Sequence, residues 1–121
     1  MVKTMADKEE IEKEIMKLQN LERQLQAVMI QKQQMQMQMS ETDLALEELV
    51  KAKGEVYKSI GSVMIKTTAA EAKTDLEGKK TLLTGRIKMM DGQYEKLKGE
   101  LMRLQKKLST ELGAGSSDEG A

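Results

Sequence analysis

The sequence predicts a mostly α-helical fold, a long antiparallel two-helix coiled coil joined by a central β-hairpin that assembles into an intersubunit β-barrel. Two observations of composition predict long helices: 33% of the 121 residues are charged, and there is no proline. Aromatic residues make up only 2%, which argues against a compact core. The fourth observation is the position of residues 56–67, a β-rich stretch between two heptad-patterned segments.

The first helix is predicted over about residues 7–53. Asp7, followed by Glu10, resembles a capping box, and Gly54 is a typical residue just past a helix end. Two series with a seven-residue step run through this segment, and nine of their twelve positions are apolar, as in a coiled coil. The series are Ile11, Leu18, Leu25, Lys32, Met39 and Leu46, and Glu14, Leu21, Val28, Met35, Thr42 and Leu49.

The hairpin is predicted over about residues 56–67, with Gly61-Ser62 as a two-residue turn. A lone hairpin is marginal in water, and its free edges invite other chains. A closed barrel of hairpins from several subunits would cover both faces, whereas the alternative is a hairpin folded onto its own helices. The residues assigned to oligomerisation are Val56, Tyr57, Ile60, Gly61, Val63, Met64 and Ile65.

The second helix is predicted over about residues 68–112, with Thr68 and Glu71 as its capping box. The domain therefore covers residues 1–112, and residues 113–121 are expected to be a disordered tail. Glycines recur every seven residues on the face away from the seam, either as tolerated drift or as a source of pliability: Gly78, Gly85, Gly92 and Gly99. The seam series are Leu76, Leu83, Met90, Leu97 and Leu104, and Lys80, Ile87, Tyr94, Leu101 and Leu108.

Reversal of the chain at the hairpin predicts an antiparallel register. Leu18 then faces Leu104, and Leu46 faces Leu76. Two layers break the apolar rule, one containing Lys32 and one pairing Thr42 with Lys80. Either the lysines reach out of the seam to water, or these polar residues specify the register.

Composition also excludes several function classes. The chain has no Cys and no His, which removes thiol nucleophiles, histidine acid–base chemistry and most zinc and haem sites. We therefore expect no enzyme activity, no metal and no cofactor. No run of Lys and Arg exceeds two residues, so we expect no nucleic-acid partner. The longest apolar run is the four residues Ala27–Ile30, so we expect no membrane contact and a cytoplasmic location.

Two segments resemble beta-type prefoldin subunits. VYKSIGSVMIK, residues 56–66, resembles the hairpin signature of that family. The run QKQQMQMQMSETDLALEEL, residues 31–49, is similar to the family's Gln-rich segment followed by A-L-E-E-L. The resemblance covers about residues 7–112. The family usually carries charged residues where this chain has its heptad glycines.

The resemblance implies an ATP-independent chaperone in a hexamer of two alpha-type and four beta-type subunits, including other copies of this chain. Such a holdase captures unfolded polypeptide clients at its coiled-coil tips and delivers them to a group II chaperonin. The alternative is a structural coiled-coil scaffold that binds no clients. The candidate client-binding residues at the tip are Met5, Ile11, Ile15, Met16, Leu104, Leu108 and Leu112.

Overall fold

The computed structural model describes residues 5–120, and it describes the side chains of residues 7–113. In chain order it contains α1 (Met5–Lys51), β1 (Val56–Ile60), β2 (Val63–Thr67) and α2 (Ala69–Gly120). The two strands pair with each other in an antiparallel sheet. The predicted order of a long helix, a hairpin and a second long helix is confirmed.

Helix α1 differs from the prediction at both ends. It begins at Met5, so Asp7 lies in its first turn and is not its cap. A carboxylate in the first turn still interacts favourably with the positive end of the helix dipole. The helix ends at Lys51, two residues before the predicted end at Lys53. The N–H of Ala52 donates to the carbonyl of Leu49 at 3.2 Å, and Gly54 takes a positive φ of 131°, which glycine adopts at little cost.

The predicted seam residues are the ones that lose solvent contact. All twelve positions of the two series in α1 are buried or half-buried. In α2 the same holds for nine of the ten positions, with Lys80 as the exception. Burial at this spacing confirms the coiled-coil period, because only residues three and four apart share one helix face. The most deeply buried apolar residues are Leu21, Leu83, Leu101 and Leu108.

The predicted polar layer of Thr42 and Lys80 contains one buried side chain and one exposed side chain. Thr42 is only 3% exposed, and its hydroxyl donates to the carbonyl of Gln38 at 2.8 Å. Lys80 is exposed instead, with its Nζ 2.8 Å from Oδ1 of Asp43. Lys80 therefore reaches out to solvent and a surface carboxylate, which favours the first of the two readings given for it.

The hairpin has the predicted bounds and a tight turn. Ile60 pairs with Val63, and Val56 pairs with Thr67 at the other end of the ladder. Gly61 has a φ of 62°, whereas no non-glycine residue of the described chain has a positive φ. Positive φ at the first central position alone is the pattern of a type II′ turn, which suits the twist of a hairpin.

Helix α2 begins as predicted and ends later. The hydroxyl of Thr68 accepts the N–H of Glu71 at 3.1 Å, while the Glu71 carboxylate accepts from the Thr67 hydroxyl at 3.0 Å. The helix continues to Gly120, past the predicted end near Leu112, whereas the expected disorder of residues 113–121 stays a prediction. Each residue added to an existing helix gains a hydrogen bond, and no proline interrupts this segment. Residue 121 lies outside the described residues.

The chain divides into two compact units. The terminal unit comprises Met1–Ile30 and Asp91–Ala121, and the hairpin unit comprises Gln31–Met90. In the terminal unit Glu14 meets Lys107, one residue from its predicted partner Leu108. In the hairpin unit Asp43 meets Lys80, one residue from the predicted layer. Within each unit these pairs agree with the predicted antiparallel register to within one residue.

The seam predicts unequal costs for two neighbouring leucines in α2. Leu83 is 3% exposed, whereas Leu82 is 53% exposed. We expect Leu83→Ala to lower the free energy of unfolding by about 2–3 kcal/mol, because it leaves a cavity in the seam. Leu82→Ala, the matched control, should cost less than about 1 kcal/mol. Urea unfolding at one fixed protein concentration measures both. Equal costs would contradict the seam assignment.

Candidate interaction surfaces

The hairpin exposes almost all of its apolar side chains. Val56 is half-buried, but the other apolar members of the predicted oligomerisation set are between 46% and 63% exposed. An isolated two-stranded sheet with this exposure needs an external cover. The exposed members are Tyr57, Ile60, Val63, Met64 and Ile65.

The strand register sorts these side chains onto two faces. Directly paired residues share a face, so Ile60 and Val63 lie together with Ile65. Tyr57 and Met64 lie on the opposite face. Apolar groups therefore occur on both faces, as the sequence predicted, and each face offers a separate contact surface.

Both edges of the hairpin also present unpaired backbone groups. Ile60 and Val63 flank the two-residue turn and form its hydrogen-bonded closing pair. The alternation of an antiparallel ladder then turns the N–H and C=O groups of Tyr57 and Ser59 outward on β1. Across the described residues, no backbone hydrogen bond from outside the hairpin reaches these groups. Such an edge is a template for an additional strand.

Charged groups surround the base of the hairpin. Glu55 accepts a hydrogen bond from the Tyr57 hydroxyl and lies 2.9 Å from Nζ of Lys66. The hydrogen bond from Tyr57 is the main cause of the lowered pKa of Glu55, and the bond from Lys66 lowers it further. The same hydrogen bond to Glu55 raises the pKa of Tyr57. Nζ of Lys58 lies 3.0 Å from Oδ2 of Asp75 and links β1 to α2. These exposed ion pairs orient the hairpin but add little stability.

A groove beside β1 was not predicted from the sequence. It has a volume of about 790 Å³ and belongs wholly to the hairpin unit. Three alanines among its lining residues leave the space open, because their side chains are short. In the sequence, these alanines on either side of the β-rich segment were the only sign of a groove. The helices contribute Ala45, Glu48, Leu49, Ala52, Ala72, Asp75, Leu76 and Lys79, and the remaining lining residues are 55–59.

The terminal unit contains the residues predicted to bind clients. Three of them are exposed, with Ile15 at 37%, Met16 at 67% and Leu112 at 48%. Leu108 is only 5% exposed, so in this structure it packs in the seam. The described side chains begin at residue 7, so that of Met5 lies outside them. The two remaining members are half-buried, namely Ile11 and Leu104.

A partly buried carboxylate lies among these residues. The side chain of Glu14 occupies a seam position and is 18% exposed, with Oε1 2.5 Å from Nζ of Lys107. Hydrogen bonding and charge attraction to Glu14 raise the pKa of Lys107. The second oxygen of Glu14, Oε2, is buried and has no hydrogen-bond partner. This seam position is therefore a weak point, because an unsatisfied buried acceptor destabilises the fold.

Sequence reasoning also missed a series of exposed apolar residues on α1, of which only Met16 was named as a contact residue from the sequence. The predicted core methionines Met35 and Met39 are half-buried, but Met29 is 44% exposed. The available signal was the spacing of a third heptad series outside the seam. The members of that series are Met16, Ile30, Met37 and Leu44, all at least half exposed.

The described side chains form surfaces suited to contact with other molecules. Within residues 7–113, no group of three or more acidic side chains is placed to hold a metal ion. No helix in the described part of the chain is long and apolar enough to cross a membrane. The structure therefore brings together apolar surfaces rimmed by ion pairs.

Comparisons with known proteins agree with this architecture. The prefoldin subunit family matches residues 12–114. The crystal structure of the prefoldin beta subunit from Thermococcus strain KS-1 is similar with a TM-score of 0.78 and 30% identity, over 85% of this chain and 92% of that chain. The prefoldin beta2 subunit of the same strain, at 18% identity and a TM-score of 0.69, covers 74% of this chain and 98% of its own. A comparison with curated proteins found no match.

The helical pair and its uncovered hairpin are thus those of a coiled-coil chaperone subunit. The chain belongs to the prefoldin family, and its likeness is to the beta-type subunits. Prefoldins are a family of chaperones, not of enzymes, and their subunits form hetero-oligomeric complexes.

The ion pair in the terminal unit gives a test of the seam there. Replacing Glu14 with Leu should raise the melting temperature by roughly 4 °C, because an apolar side chain suits this seam position better. Lys107→Ala should lower the melting temperature, because both oxygens of Glu14 then lack a partner. Lys106→Ala is the matched control and should change it little. Circular dichroism measures all three variants, and a lower melting temperature for Glu14→Leu would contradict this account.

Proposed function

We propose that this chain is the beta-type subunit of an ATP-independent holdase that assembles through its hairpin and captures unfolded polypeptides. The observation that carries the proposal is the uncovered hairpin in a chain that belongs to the prefoldin family. Its five exposed apolar side chains and its open edges suit contact with other subunits. The proposed assembly contains two alpha-type and four beta-type subunits, and its proposed location is the cytoplasm.

The exposed apolar residues of the terminal unit support the client-binding part of the proposal. Ile15, Met16 and Leu112 lie outside the two seam series, so their exposure does not weaken the seam. Apolar groups without aromatic anchors favour weak contacts with many different sequences, and methionine adapts readily to irregular partners. Several such surfaces in one oligomer would raise the net affinity for a long unfolded chain.

Transfer to a group II chaperonin is the last step of the proposed function. In this scheme the holdase prevents aggregation, and the chaperonin carries out folding. A structural scaffold without clients remains the competing function, because the seam alone would serve it. The two functions differ in one measurable property, which is suppression of client aggregation by the assembled oligomer.

The assembly proposal predicts that charge on the hairpin prevents oligomer formation. The double variant Ile60→Lys, Val63→Lys places two ammonium groups on one exposed face of the sheet. We expect it to remain monomeric with a candidate alpha-type subunit, while its helical circular dichroism persists. Ser62→Lys, in the turn between these residues, is the control and should assemble normally. Native mass spectrometry distinguishes the outcomes, and an assembled double variant would refute the role of this face.

The client proposal predicts loss of holdase activity without loss of assembly. The triple variant Ile15→Ser, Met16→Ser, Leu112→Ser removes exposed apolar surface from every copy. The concentration needed to halve aggregation of a denatured test protein should rise about tenfold, because each site loses apolar contact area. The number of subunits in the oligomer, measured by native mass spectrometry, should be unchanged.

A second triple variant provides the matched control for this experiment. Met29→Ser, Ile30→Ser and Met102→Ser alter residues of the same unit that are 44%, 50% and 58% exposed. This variant should suppress aggregation nearly as well as the unmodified chain. Equal losses in both triple variants would mean that client contact is not localised to the proposed residues.

A further inference from the structure

Methionine supplies all of the sulfur in this chain. The sequence contains eleven methionines and no cysteine, so no thiol of the chain competes with them for an oxidant. Within residues 7–113, whose side chains the structure describes, six methionines are exposed and three are half-buried. The exposed six are Met16, Met29, Met37, Met64, Met89 and Met102, and the half-buried three are Met35, Met39 and Met90.

Burial divides these methionines into a group inside the seam and a group outside it. Met35, Met39 and Met90 occupy the heptad series, and packing in the seam covers part of each side chain. Met16 lies outside both series and is 67% exposed, the highest value among the described methionines. A small oxidant in water therefore reaches the side chain of Met16 without any opening of the seam.

The position of Met16 gives its oxidation a consequence for function. With Ile15 and Leu112 it forms the exposed apolar set proposed above to contact clients, and it is the most exposed of the three. Met16 belongs to the terminal unit, whereas the strands of the proposed assembly surface belong to the hairpin unit. Assembly through the hairpin therefore makes no use of Met16.

We propose that Met16 is a reversible oxidation site through which a peroxide lowers the affinity of the holdase for its clients. The inference rests on the client binding proposed above and adds a chemical control to it. With hydrogen peroxide, the thioether sulfur donates an electron pair to one peroxide oxygen, so that an S–O bond forms and the O–O bond breaks. The second oxygen leaves as water with both hydrogens. The sulfur loses two electrons, and the peroxide gains them.

The sulfoxide changes the contact surface and leaves the fold in place. It is polar, and its oxygen accepts hydrogen bonds from water. Contact with an apolar client segment then requires removal of that water, which costs free energy. Because Met16 lies outside the seam, the packing between the helices is kept. One such change in each copy weakens every one of the contacts on which multivalent binding depends.

A dithiol reverses the modification. Methionine sulfoxide reductases remove the oxygen, with one enzyme for each of the two sulfoxide epimers. The dithiol is oxidised to a disulfide, the sulfoxide is reduced to the thioether, and the oxygen leaves as water. Because the chain has no cysteine, the dithiol breaks no bond within it. Reduction of the folded chain therefore acts on its sulfoxides alone.

Peptide mass measurement after limited oxidation tests the site itself. The chain, assembled with a candidate alpha-type subunit, is treated with hydrogen peroxide, quenched with free methionine and digested with trypsin. Met16 falls in the peptide of residues 14–17, and Met90 in that of residues 89–96, where fragment ions separate it from Met89. In the native oligomer Met16 should oxidise about threefold faster than Met90 or more, because oxidation follows exposure. In urea, where the seam is open, the two rates should be alike.

A leucine substitution separates oxidation at this site from oxidation elsewhere. Met16→Leu keeps an apolar side chain and removes the sulfur. Peroxide is removed before the client is added, and each variant is compared with its own untreated sample. The concentration needed to halve client aggregation should rise about fivefold for the unmodified chain and less than about twofold for Met16→Leu. Met102→Leu, at a 58% exposed position of the same unit, is the matched control and should stay as sensitive to peroxide as the unmodified chain.

The outcomes separate this inference from the function on which it rests. A peroxide-induced loss that Met16→Leu prevents, and that the two reductases with dithiothreitol reverse, supports the oxidation site. The inference is overturned, and the proposed function stands, if Met16 reacts no faster than Met90 or if its full oxidation leaves aggregation suppression intact. A loss that persists in Met16→Leu, or after the Met16 thioether is restored, has the same meaning. An untreated oligomer that suppresses no aggregation removes the proposed function and this inference with it.

Discussion

The structure depends on the apolar seam between the two helices. A two-helix pair has no second layer, so the two heptad series in each helix supply nearly all of the burial. Even within these series, the apolar residues that are less than one tenth exposed are Leu21, Leu83, Leu101 and Leu108. Helices of this length are held in place by tertiary contact more than by propensity. The seam therefore fixes which side of each helix is free, and with it every surface left for a partner.

The seam was predictable from the sequence because its apolar residues recur with a regular seven-residue spacing. Every α1 position in the two series is at least half-buried, and the Gly61 turn and the Thr68 cap follow from local chemistry. Helix α2 runs past the predicted end near Leu112, since loss of apolar pattern at Gly113 does not by itself stop backbone hydrogen bonding. The groove was missed because concavity arises from residues of two helices and a strand together, such as Ala45, Val56 and Ala72, which no single period connects.

The glycine repeat of α2 shows what the seam does not constrain. A Cβ added at Gly78, Gly85, Gly92 or Gly99 would meet nothing within 4 Å, so internal packing does not require glycine at these positions. Each glycine costs a helix about 1 kcal/mol relative to alanine. The seam must offset this loss, which makes α2 intrinsically the weaker helix and places more of its stability in contacts with α1.

Exposure outside the seam distinguishes contact residues from structural ones more sharply than residue type does. Leu108 and Leu112 are four residues apart on one helix, yet one is 5% exposed and the other 48%. Only the second can reach a partner without opening the seam. The same reasoning applies to the hairpin, whose five exposed apolar side chains belong to no heptad series and contribute nothing to the seam. In a chain with so little buried apolar surface, such residues are costly in water unless another molecule covers them, so their number at the hairpin is the strongest physical argument for assembly there.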